Sequence, residues 1–221
     1  MVTPVPRRSG ARALVDAVTF PLRAVTLFEH DRWGLSSLAR ERFDYCRREV
    51  SGRCLDVGCG RHNRFVTEHL GGNGVGVDVF DYAGLEDGQI FTDLTRFPFD
   101  DASFDHVTFI ASLNHVPRPQ RDQELAESWR CLRPGGTIIV TMGHPLAEIL
   151  VHKVVWLYDR ILGTSHDMDS ERGMEEEEDY FLTDGEIRAR LARAGFVGIR
   201  KKRFWTQWGL NHLFVGTKEL P

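Results

Sequence analysis

An acid and two closely spaced glycines stand together in the stretch CLDVGCGRHN, residues 54–63. Asp56 lies inside an apolar run, where burying a carboxylate costs free energy unless another group stabilises its charge. Gly58 and Gly60 are two positions apart, which indicates a backbone that bends tightly or passes close to a ligand. The combination predicts a ligand-binding turn directly after a buried strand.

Polar residues also follow the next three strands predicted from the sequence. The second strand ends at Asp78, twenty positions after Gly58, the third ends at Asp93, and the fourth runs into Ser112 and His115. In an α/β sheet, ligands bind beyond the carboxyl ends of the strands, so these residues belong at one edge of the sheet. Three carboxylates at successive strand ends indicate ligand chemistry rather than core packing.

The spacing of acids and glycines distinguishes between cofactors that contain adenosine. An acid about twenty residues after a glycine turn is placed to accept hydrogen bonds from ribose hydroxyls. A dinucleotide site would have a third glycine where this chain has Asn63, and Asp56 would repel a pyrophosphate. A carboxylate suits a ligand ammonium group instead, while the turn and the helix start after it can hold a ligand carboxylate through backbone N–H groups. S-adenosylmethionine combines these groups and is the predicted cofactor.

Four segments in order resemble the successive motifs of class I S-adenosylmethionine-dependent methyltransferases: CLDVGCG, GVDV, FTDLTRFPFDDASFDHVTFIASLNHV and CLRPGGTIIV. The similarity is closest to the small-molecule branch that includes the ubiquinone and menaquinone methyltransferases. It covers roughly residues 50 to 142. The hairpin near 196–217 fits the last two strands of that family.

This resemblance implies a role for each strand end. Gly58 and Gly60 would pass close to the methionine part of the cofactor, and Asp56 would serve its ammonium group. Asp78 would hold the ribose, and Asp93 with its neighbour would recognise the adenine. The residues predicted to bind the cofactor are Asp56, Gly58, Cys59, Gly60, Asp78, Val79, Asp93, Leu94, Ala111 and Ser112.

Each acid also has a structural alternative. Asp78 could cap the turn that follows it, and Asp93 could cap the segment LTRFPF. Asp56 could be a structural acid whose oxygens accept hydrogen bonds from backbone amides. One position departs from the family pattern, because the glycine expected after GCG-x is His62 here. The sequence therefore does not determine the backbone conformation where the chain leaves the turn.

Methyl transfer depends more on positioning than on acid–base catalysis, because the sulfonium is already a strong electrophile. A base is needed only where the acceptor is a hydroxyl or a similar protonated group. The candidate catalytic bases are His115 and His144, at the ends of the fourth and fifth strands, with turn-stabilising hydrogen bonds as the alternative for His115. No metal site is predicted, since the consecutive acids of EEEED, residues 175–179, point in different directions.

Strands and helices alternate along most of the chain, which predicts an α/β fold. We expect a Rossmann-like, seven-stranded, mainly parallel sheet with a C-terminal antiparallel hairpin and helices on both faces. Helices are expected at 64–70, at 119–132 with RPGG as its terminator, and after Thr183 as an N-cap. The expected strands are 53–60, 73–80, 88–93, 104–112, 137–143, 196–205 and 210–218.

The domain prediction places an N-terminal helical extension at 1–50, kinked at Pro21, before a methyltransferase domain at 51–221. Residues 143–182 are interpreted as a lid or acceptor-binding insertion. Within them, 145–162 has so wide an apolar face that the domain core, the second subunit of a homodimer or a hydrophobic acceptor must cover it.

Composition and charge exclude several classes of partner. The net charge of −4 gives no general attraction to nucleic acid or to anionic lipid. In the basic segment IRKKRFW, Arg200 and Lys202 face one side of a strand and Lys201 and Arg203 the other, which splits the patch. No apolar run is long enough for a transmembrane segment, and no secretion signal is evident. Four cysteines without a CxxC pair favour reduced thiols and a cytoplasmic location.

The sequence thus predicts an enzyme that transfers methyl groups from S-adenosylmethionine to a small-molecule or lipid-linked acceptor. Two alternatives remain open at this stage. One is a methyltransferase that modifies tRNA or protein, which the acidic balance and the split basic strand disfavour. The other is a protein that binds S-adenosylmethionine without catalysis, which the acids at all three cofactor positions disfavour.

Overall fold

The computed structural model describes residue 6 and residues 9–26, 30–143 and 182–220. Within them a six-stranded sheet has the strand order β2-β1-β3-β4-β6-β5. The neighbours β2, β1, β3 and β4 are parallel, whereas β6 runs antiparallel to both β4 and β5. The strands are β1 Cys54–Val57, β2 Gly74–Val77, β3 Phe104–Ile110, β4 Leu132–Gly143, β5 Phe196–Arg203 and β6 Asn211–Lys218. The α-helices are α1 Gly10–Val18, α2 Phe20–Thr26, α3 Leu38–Arg47, α4 Arg121–Cys131 and α5 Asp184–Arg193.

Hydrophobic clusters lie on both faces of the sheet, because alternate residues of a strand point to opposite sides. In β4, Ile138 and Val140 belong to a cluster that includes Leu125 of α4 and Leu191 of α5. Ile139, between them, belongs to a second cluster with Tyr45 of α3. The predicted α/β sheet with helices on both faces and a C-terminal antiparallel hairpin is therefore confirmed.

The prediction of seven strands is wrong for the residues that the structure describes. The expected third strand, 88–93, contributes only an isolated parallel bridge between Asp78 and Ile90. A short 3-10 turn at Asp87–Gln89 precedes that bridge, and the Gln89 side chain donates to the Gly76 carbonyl at 2.9 Å. Asp93 then enters a turn of its own. Only three residues, 90–92, lie between these two turns, which is too few to form a strand that pairs with the end of β2 beyond the single bridge.

Two local expectations also fail. The helix expected at 64–70 is a 3-10 turn at Arg61–Asn63 followed by a five-residue π-helical turn at Phe65–His69. RPGG does not terminate α4 in a loop, because β4 begins at Leu132, immediately after the helix, and the pairing of β3 with β4 is irregular there. By contrast, the Thr183 side chain accepts a hydrogen bond from the Glu186 amide, as predicted for an N-cap.

The helices α1 and α2 pack against the C-terminal hairpin, and Pro21 stands at the second residue of α2, where the chain turns between them. The Trp208 indole donates to the Ala17 carbonyl at 2.9 Å. The buried Glu41 carboxylate accepts hydrogen bonds from Arg23 at 2.9 Å and from Gln207 at 2.7 Å. Because β6 begins beside the carboxyl end of β4, these contacts place both helices near the edge of the sheet where the site is expected.

The basic strand β5 is split as predicted. Arg200 and Lys202 both pair with Glu49, whereas Lys201 pairs with Asp184. All four cysteines are free and buried. None of the helices in the described ranges is long and apolar enough to cross a membrane.

Candidate functional site

The glycine turn after β1 is held against the end of β2. The amides of Gly58 and Cys59 both donate to the Val77 carbonyl, at 2.8 and 3.1 Å. Gly58 and Gly60 have φ of +73° and +65°, which glycine adopts without the strain that a side chain would cause. A Cβ at Gly58 would overlap with the Ser112 side chain, whereas a Cβ at Gly60 would have no atom within 4 Å. The turn is thus packed on one side and open to a ligand at Gly60.

Asp78 fixes the open side of this turn. Its Oδ2 accepts a hydrogen bond from the Gly60 amide at 2.9 Å, and its Oδ1 accepts one from the Phe80 amide at 3.1 Å. The turn-capping alternative for Asp78 is therefore present in the structure. A carboxylate has about four lone-pair sites, so two of them can still accept hydrogen bonds from a ligand. The neighbouring Val79 is exposed.

Asp56 is 1% exposed and lies on the same strand end. Thr108 of β3, its partner across the parallel ladder, donates to Asp56 Oδ1 at 2.6 Å. Burial raises the pKa of Asp56 to about 7; the Thr108 hydrogen bond lowers this pKa, and the nearby Asp78 charge raises it. The carboxyl is thus near its titration point at neutral pH, and a ligand cation beside it would favour the ionised form.

Cys59 lies buried between the two glycines. Burial raises the pKa of its thiol, and the charges of Asp56 and Asp78 raise it further. Because a nucleophilic cysteine must form the thiolate, this thiol is a packing group rather than a reactive one.

Asp93 and Leu94 lie beyond the bridge at Ile90. Asp93 is exposed, and its Oδ1 accepts a hydrogen bond from the Thr95 amide at 2.7 Å. Hydrogen bonds from Thr95 lower the pKa of Asp93. Leu94 is buried in the core cluster that also contains Phe97. The capping role that the sequence allowed for Asp93 is present, and the adenine-binding role of this pair stays a prediction.

The loop after β3 forms the wall opposite Asp78. Ala111 has φ of +55° and donates through its amide to Thr141 Oγ1 at 2.9 Å. The Ser112 hydroxyl donates to the Val57 carbonyl at 2.6 Å, so this loop is fastened to the strand that carries the glycine turn. The backbone amide of His115, which is half-buried, donates to the Ser112 carbonyl at 2.9 Å.

Arg121 is a structural residue of this loop that the sequence did not reveal. Its fully buried guanidinium donates to the carbonyl of Val116 at 2.8 Å and to that of Asn114 at 3.0 Å. The arginine at the start of α4 therefore holds the backbone on both sides of His115. In the sequence, Arg121 looks like any other charged residue in the first turn of a polar helix, so no signal marked it.

His62 occupies the position of the glycine that the family pattern led us to expect. Its φ of +61° is left-handed, and Asn63 follows with φ of +45°. The His62 amide donates to the Ala83 carbonyl at 2.8 Å, and its imidazole fills the space that a Cβ on Gly84 would need. The backbone thus takes the conformation that favours glycine although a side chain is present, which explains why the family pattern has glycine there.

Eight of the ten predicted cofactor residues therefore lie at one edge of the sheet, at the end of β1 and the turn after it, at the end of β2 and in the loop after β3, whereas Asp93 and Leu94 lie in a separate turn. His144 lies outside the described residues, as does the interior of the predicted insertion, 144–181, with EEEED and the stretch 145–162. Thr108 was missed in the sequence analysis. It could have been found because Thr108 and His106 are two residues apart in the predicted strand 104–112, which puts both polar side chains on the same face of that strand. The roles of the ten cofactor residues stay predictions.

A mixed α/β sheet with a glycine turn after its first strand and an acid after its second fits the class I methyltransferase domain that the sequence predicts. Residues 55–140 match the family described as "Methyltransferase domain". The match covers less than half of the chain and supports the predicted class I S-adenosylmethionine-dependent methyltransferase domain, similar to the small-molecule branch.

Two relatives of this chain are described as C-methyltransferases. It is 35% identical over 99 residues to sterol 24-C-methyltransferase erg6 of Schizosaccharomyces pombe, covering 38% of this chain and 26% of that one. It is 29% identical over 139 residues to the ubiquinone/menaquinone biosynthesis C-methyltransferase UbiE of Brucella anthropi, covering 59% and 52%. The chain thus spans about a quarter to a half of the length of these curated relatives.

Among solved structures, the fold resembles that of 1,6-didemethyltoxoflavin-N1-methyltransferase from Burkholderia thailandensis, which was solved with 1,6-didemethyltoxoflavin and S-adenosylhomocysteine bound. The TM-score is 0.56 at 17% identity, with 99% of this chain and 95% of that one covered. At that identity the likeness supports the fold alone.

Proposed function

We propose that the protein is an enzyme that transfers a methyl group from S-adenosylmethionine to a small-molecule or lipid-linked acceptor. One observation supports this most strongly. The backbone at Gly60 is open, the buried Asp78 carboxylate both fixes it and keeps acceptor capacity for a ligand, and the buried Asp56 lies on the strand before the same turn. The match of residues 55–140 to the methyltransferase domain supports the same conclusion.

In this proposal the cofactor spans the strand ends. Asp78 accepts hydrogen bonds from the ribose hydroxyls, and the open backbone at Gly60 faces the methionine part. Asp56 balances the ammonium group, which explains why a carboxyl with a pKa raised to about 7 lies there: a bound cation stabilises the ionised form that burial disfavours. Asp93 and Leu94 border the adenine, and Ala111 with Ser112 lines the opposite wall.

Bound S-adenosylmethionine supplies an electrophilic methyl group. The residues of this chain contribute position: two packed loops, fastened to each other through Ser112 and Val57, hold one wall of the site relative to the other. Such orientation can account for several kcal/mol of the barrier to methyl transfer. His115 is the candidate base for an acceptor with a dissociable proton, and His144 is a second candidate. Arg121 acts on His115 only through the loop backbone.

The domain division of the proposal is a helical extension at 1–50 on a methyltransferase domain at 51–221, with an acceptor-binding insertion at 143–182. The contacts of Trp208 with Ala17 and of Gln207 with Glu41 support an extension that borders the acceptor side. The alternative of a tRNA-modifying enzyme lacks support, because the basic side chains of β5 pair with acids on opposite faces of the strand: Arg200 pairs with Glu49, and Lys201 pairs with Asp184. A cytoplasmic location and a homodimer remain predictions from sequence.

A label-transfer experiment tests the proposal. The protein is incubated with methyl-labelled S-adenosylmethionine and, separately, with quinone, sterol and heteroaromatic acceptors and a bacterial lipid extract. We expect label in at least one organic product and stoichiometric S-adenosylhomocysteine. Binding of S-adenosylmethionine without any product across the panel would favour the non-catalytic alternative, and transfer only to tRNA or protein would favour the other.

A further inference from the structure

The first two helices have their charged side inward and their apolar side outward. Asp16 and Arg23 are fully buried, and both make hydrogen bonds with Ser36 of the following segment. Arg23 also donates to Glu41, which is buried as well. The Asp16 carboxylate and the terminal nitrogens of Arg23 are therefore bonded within the protein, and the opposite face of α1 and α2 points outward.

That outer face is apolar throughout. Leu14 is 61% exposed, Val18 is 71% exposed and Leu22 is 53% exposed. Ala11, Val15 and Pro21 are exposed beside them. The charged residues of α1 and α2 with described side chains are buried or only partly exposed. We call Leu14, Val15, Val18 and Leu22 the outer face. An apolar helix face of this kind in a folded protein marks a surface that is covered in use.

An exposed tryptophan, Trp208, contacts both α1 and α2. The indole of Trp208 donates to the Ala17 carbonyl and its ring packs edge-on against Phe20, with 5.5 Å between ring centroids, while the residue stays 60% exposed. Trp205 lies three positions earlier in the same turn, and Trp33 precedes the segment that bonds Asp16; both are exposed. Tryptophan favours the boundary between water and lipid, because its indole has an apolar body and a polar N–H group.

The charge of this part of the chain differs from that of the whole. Residues 1–26 contain four arginines and one aspartate, a formal charge of +3, although the complete chain has −4. Asp16 is buried and pairs with Arg12, and Arg23 is buried and pairs with Glu41. Arg7 and Arg8, which precede α1 in the sequence, carry the remaining positive charge of this segment. An arginine pair that precedes, in the sequence, a helix with an exposed apolar face fits a surface with anionic lipid headgroups.

We propose that the outer face of α1 and α2 is a membrane-contact surface that binds peripherally to an anionic lipid bilayer. The helices lie in the plane of the interface with Leu14, Val18 and Leu22 toward the acyl chains. Neither helix needs to span the bilayer for this mode of binding. The surface would bring the acceptor side of the proposed active site next to lipid, which accounts for a lipid-linked acceptor. Only this link to the acceptor rests on the proposed function.

Vesicle co-sedimentation without cofactor or acceptor tests the surface independently of activity. The probes are phosphatidylcholine vesicles with and without phosphatidylserine. We expect binding to the anionic vesicles that weakens as salt rises from 0.1 to 0.5 M, because added salt screens the arginine–headgroup attraction. Leu14→Ser/Val18→Ser should lower partitioning at least about tenfold, because two apolar side chains no longer enter the lipid. Val197→Ser, at an exposed valine of β5, is the matched control and should bind as the unaltered protein does.

Three results would overturn the proposal. The first is equal vesicle binding by the double variant and the unaltered protein, or no binding by either. The second is a dimer in sedimentation velocity that the double variant converts to monomer, which would make the outer face a contact between two copies. The third is a melting temperature of the double variant lowered by more than about 5 °C, which would mean that the chain itself covers this face.

Discussion

At the scale of single residues, the site depends on carboxylates that serve the backbone and a ligand together. Asp78 accepts hydrogen bonds from two amides, and Asp56 accepts one from Thr108. The sequence located both acids and both glycines of the turn from spacing alone. It could not show how far each acid is already bonded within the protein, because that depends on partners distant along the chain.

Asp78→Ala tests the ribose role. The variant should weaken S-adenosylmethionine binding by about 1.5–3 kcal/mol, because charge-assisted hydrogen bonds to the ribose are lost and the Gly60 amide loses its acceptor. Isothermal titration measures the dissociation constant. Asp81→Ala, at an exposed acid of the same loop, should leave affinity unchanged. A folded Asp78→Ala protein that binds the cofactor normally would remove Asp78 from the site.

His62 gives a second prediction at this scale. A left-handed conformation costs a residue with a Cβ about 1–2 kcal/mol, which glycine avoids. His62→Gly should therefore be more stable than His62→Ala by about 1 kcal/mol in urea denaturation, although both lose the imidazole. At the neighbouring Arg61, which does not have a positive φ, alanine should be the more stable of the two. Equal stability of the two His62 variants would show that the turn relaxes when the imidazole is removed.

At the scale of elements, the sequence predicted strands more reliably than short helices. β1 has three apolar residues of four and β4 contains the run Ile138, Ile139 and Val140, as burial on both faces of a sheet requires. The segment RFVTEHL has a helical pattern, but the left-handed pair His62 and Asn63 directly before it leaves only a five-residue π-helical turn. The expected third strand failed because turns at both of its ends use its residues. Local pattern does not encode such constraints from neighbouring segments.

The attachment of α1 and α2 to the hairpin is testable through Arg23 and Glu41. Both side chains are completely buried and lie 2.9 Å apart. Arg23→Leu leaves the Glu41 charge without this cation, so we expect a loss of about 3–5 kcal/mol of unfolding free energy in chemical denaturation. Glu68→Ala breaks the part-exposed pair with Arg64 and should cost less than about 1 kcal/mol. Similar small losses in both variants would mean that the buried pair contributes little to stability.

At the scale of the whole molecule, several buried groups make stability depend on pH. Burial raises the pKa of Glu124 to about 8, with the Asp93 charge adding to the effect, and burial lowers the pKa of His69 to about 4. The folded protein therefore keeps a proton on Glu124 that the unfolded chain releases above pH 4.5. His69 has the opposite influence, but only below pH 6.5, where the unfolded chain takes up the proton.

From pH 6.5 to 8, the unfolding free energy should consequently fall because of Glu124, with Asp56 contributing up to about pH 7. Glu124→Gln removes the larger contribution, so its stability relative to the unaltered protein should increase with pH, by on the order of 2–4 kcal/mol at pH 8 compared with pH 5. Denaturant titrations across this range measure the difference. Glu127→Gln, at a carboxyl whose pKa hydrogen bonds from Arg130 lower, should show no such gain. A pH-independent difference for Glu124→Gln would contradict the raised pKa.

Whole-chain charge illustrates a further limit of the sequence. A net charge of −4 argued against attraction to anionic lipid, yet residues 1–26 contain four arginines and one acid. Only the structure shows that Asp16 is buried and that the apolar residues of these helices face outward. Composition gives only the average charge of the chain. Whether the apolar residues of a helix face outward depends on which side of the helix the rest of the protein covers.

The most direct test of the central claim is a comparison of S-adenosylmethionine and NAD by isothermal titration calorimetry with the unaltered protein. Asp56 beside the turn and the absence of a glycine at Asn63 predict one S-adenosylmethionine site per chain and no NAD binding. S-adenosylhomocysteine should compete for the same site. Binding of NAD without any response to S-adenosylmethionine would contradict the account of this site.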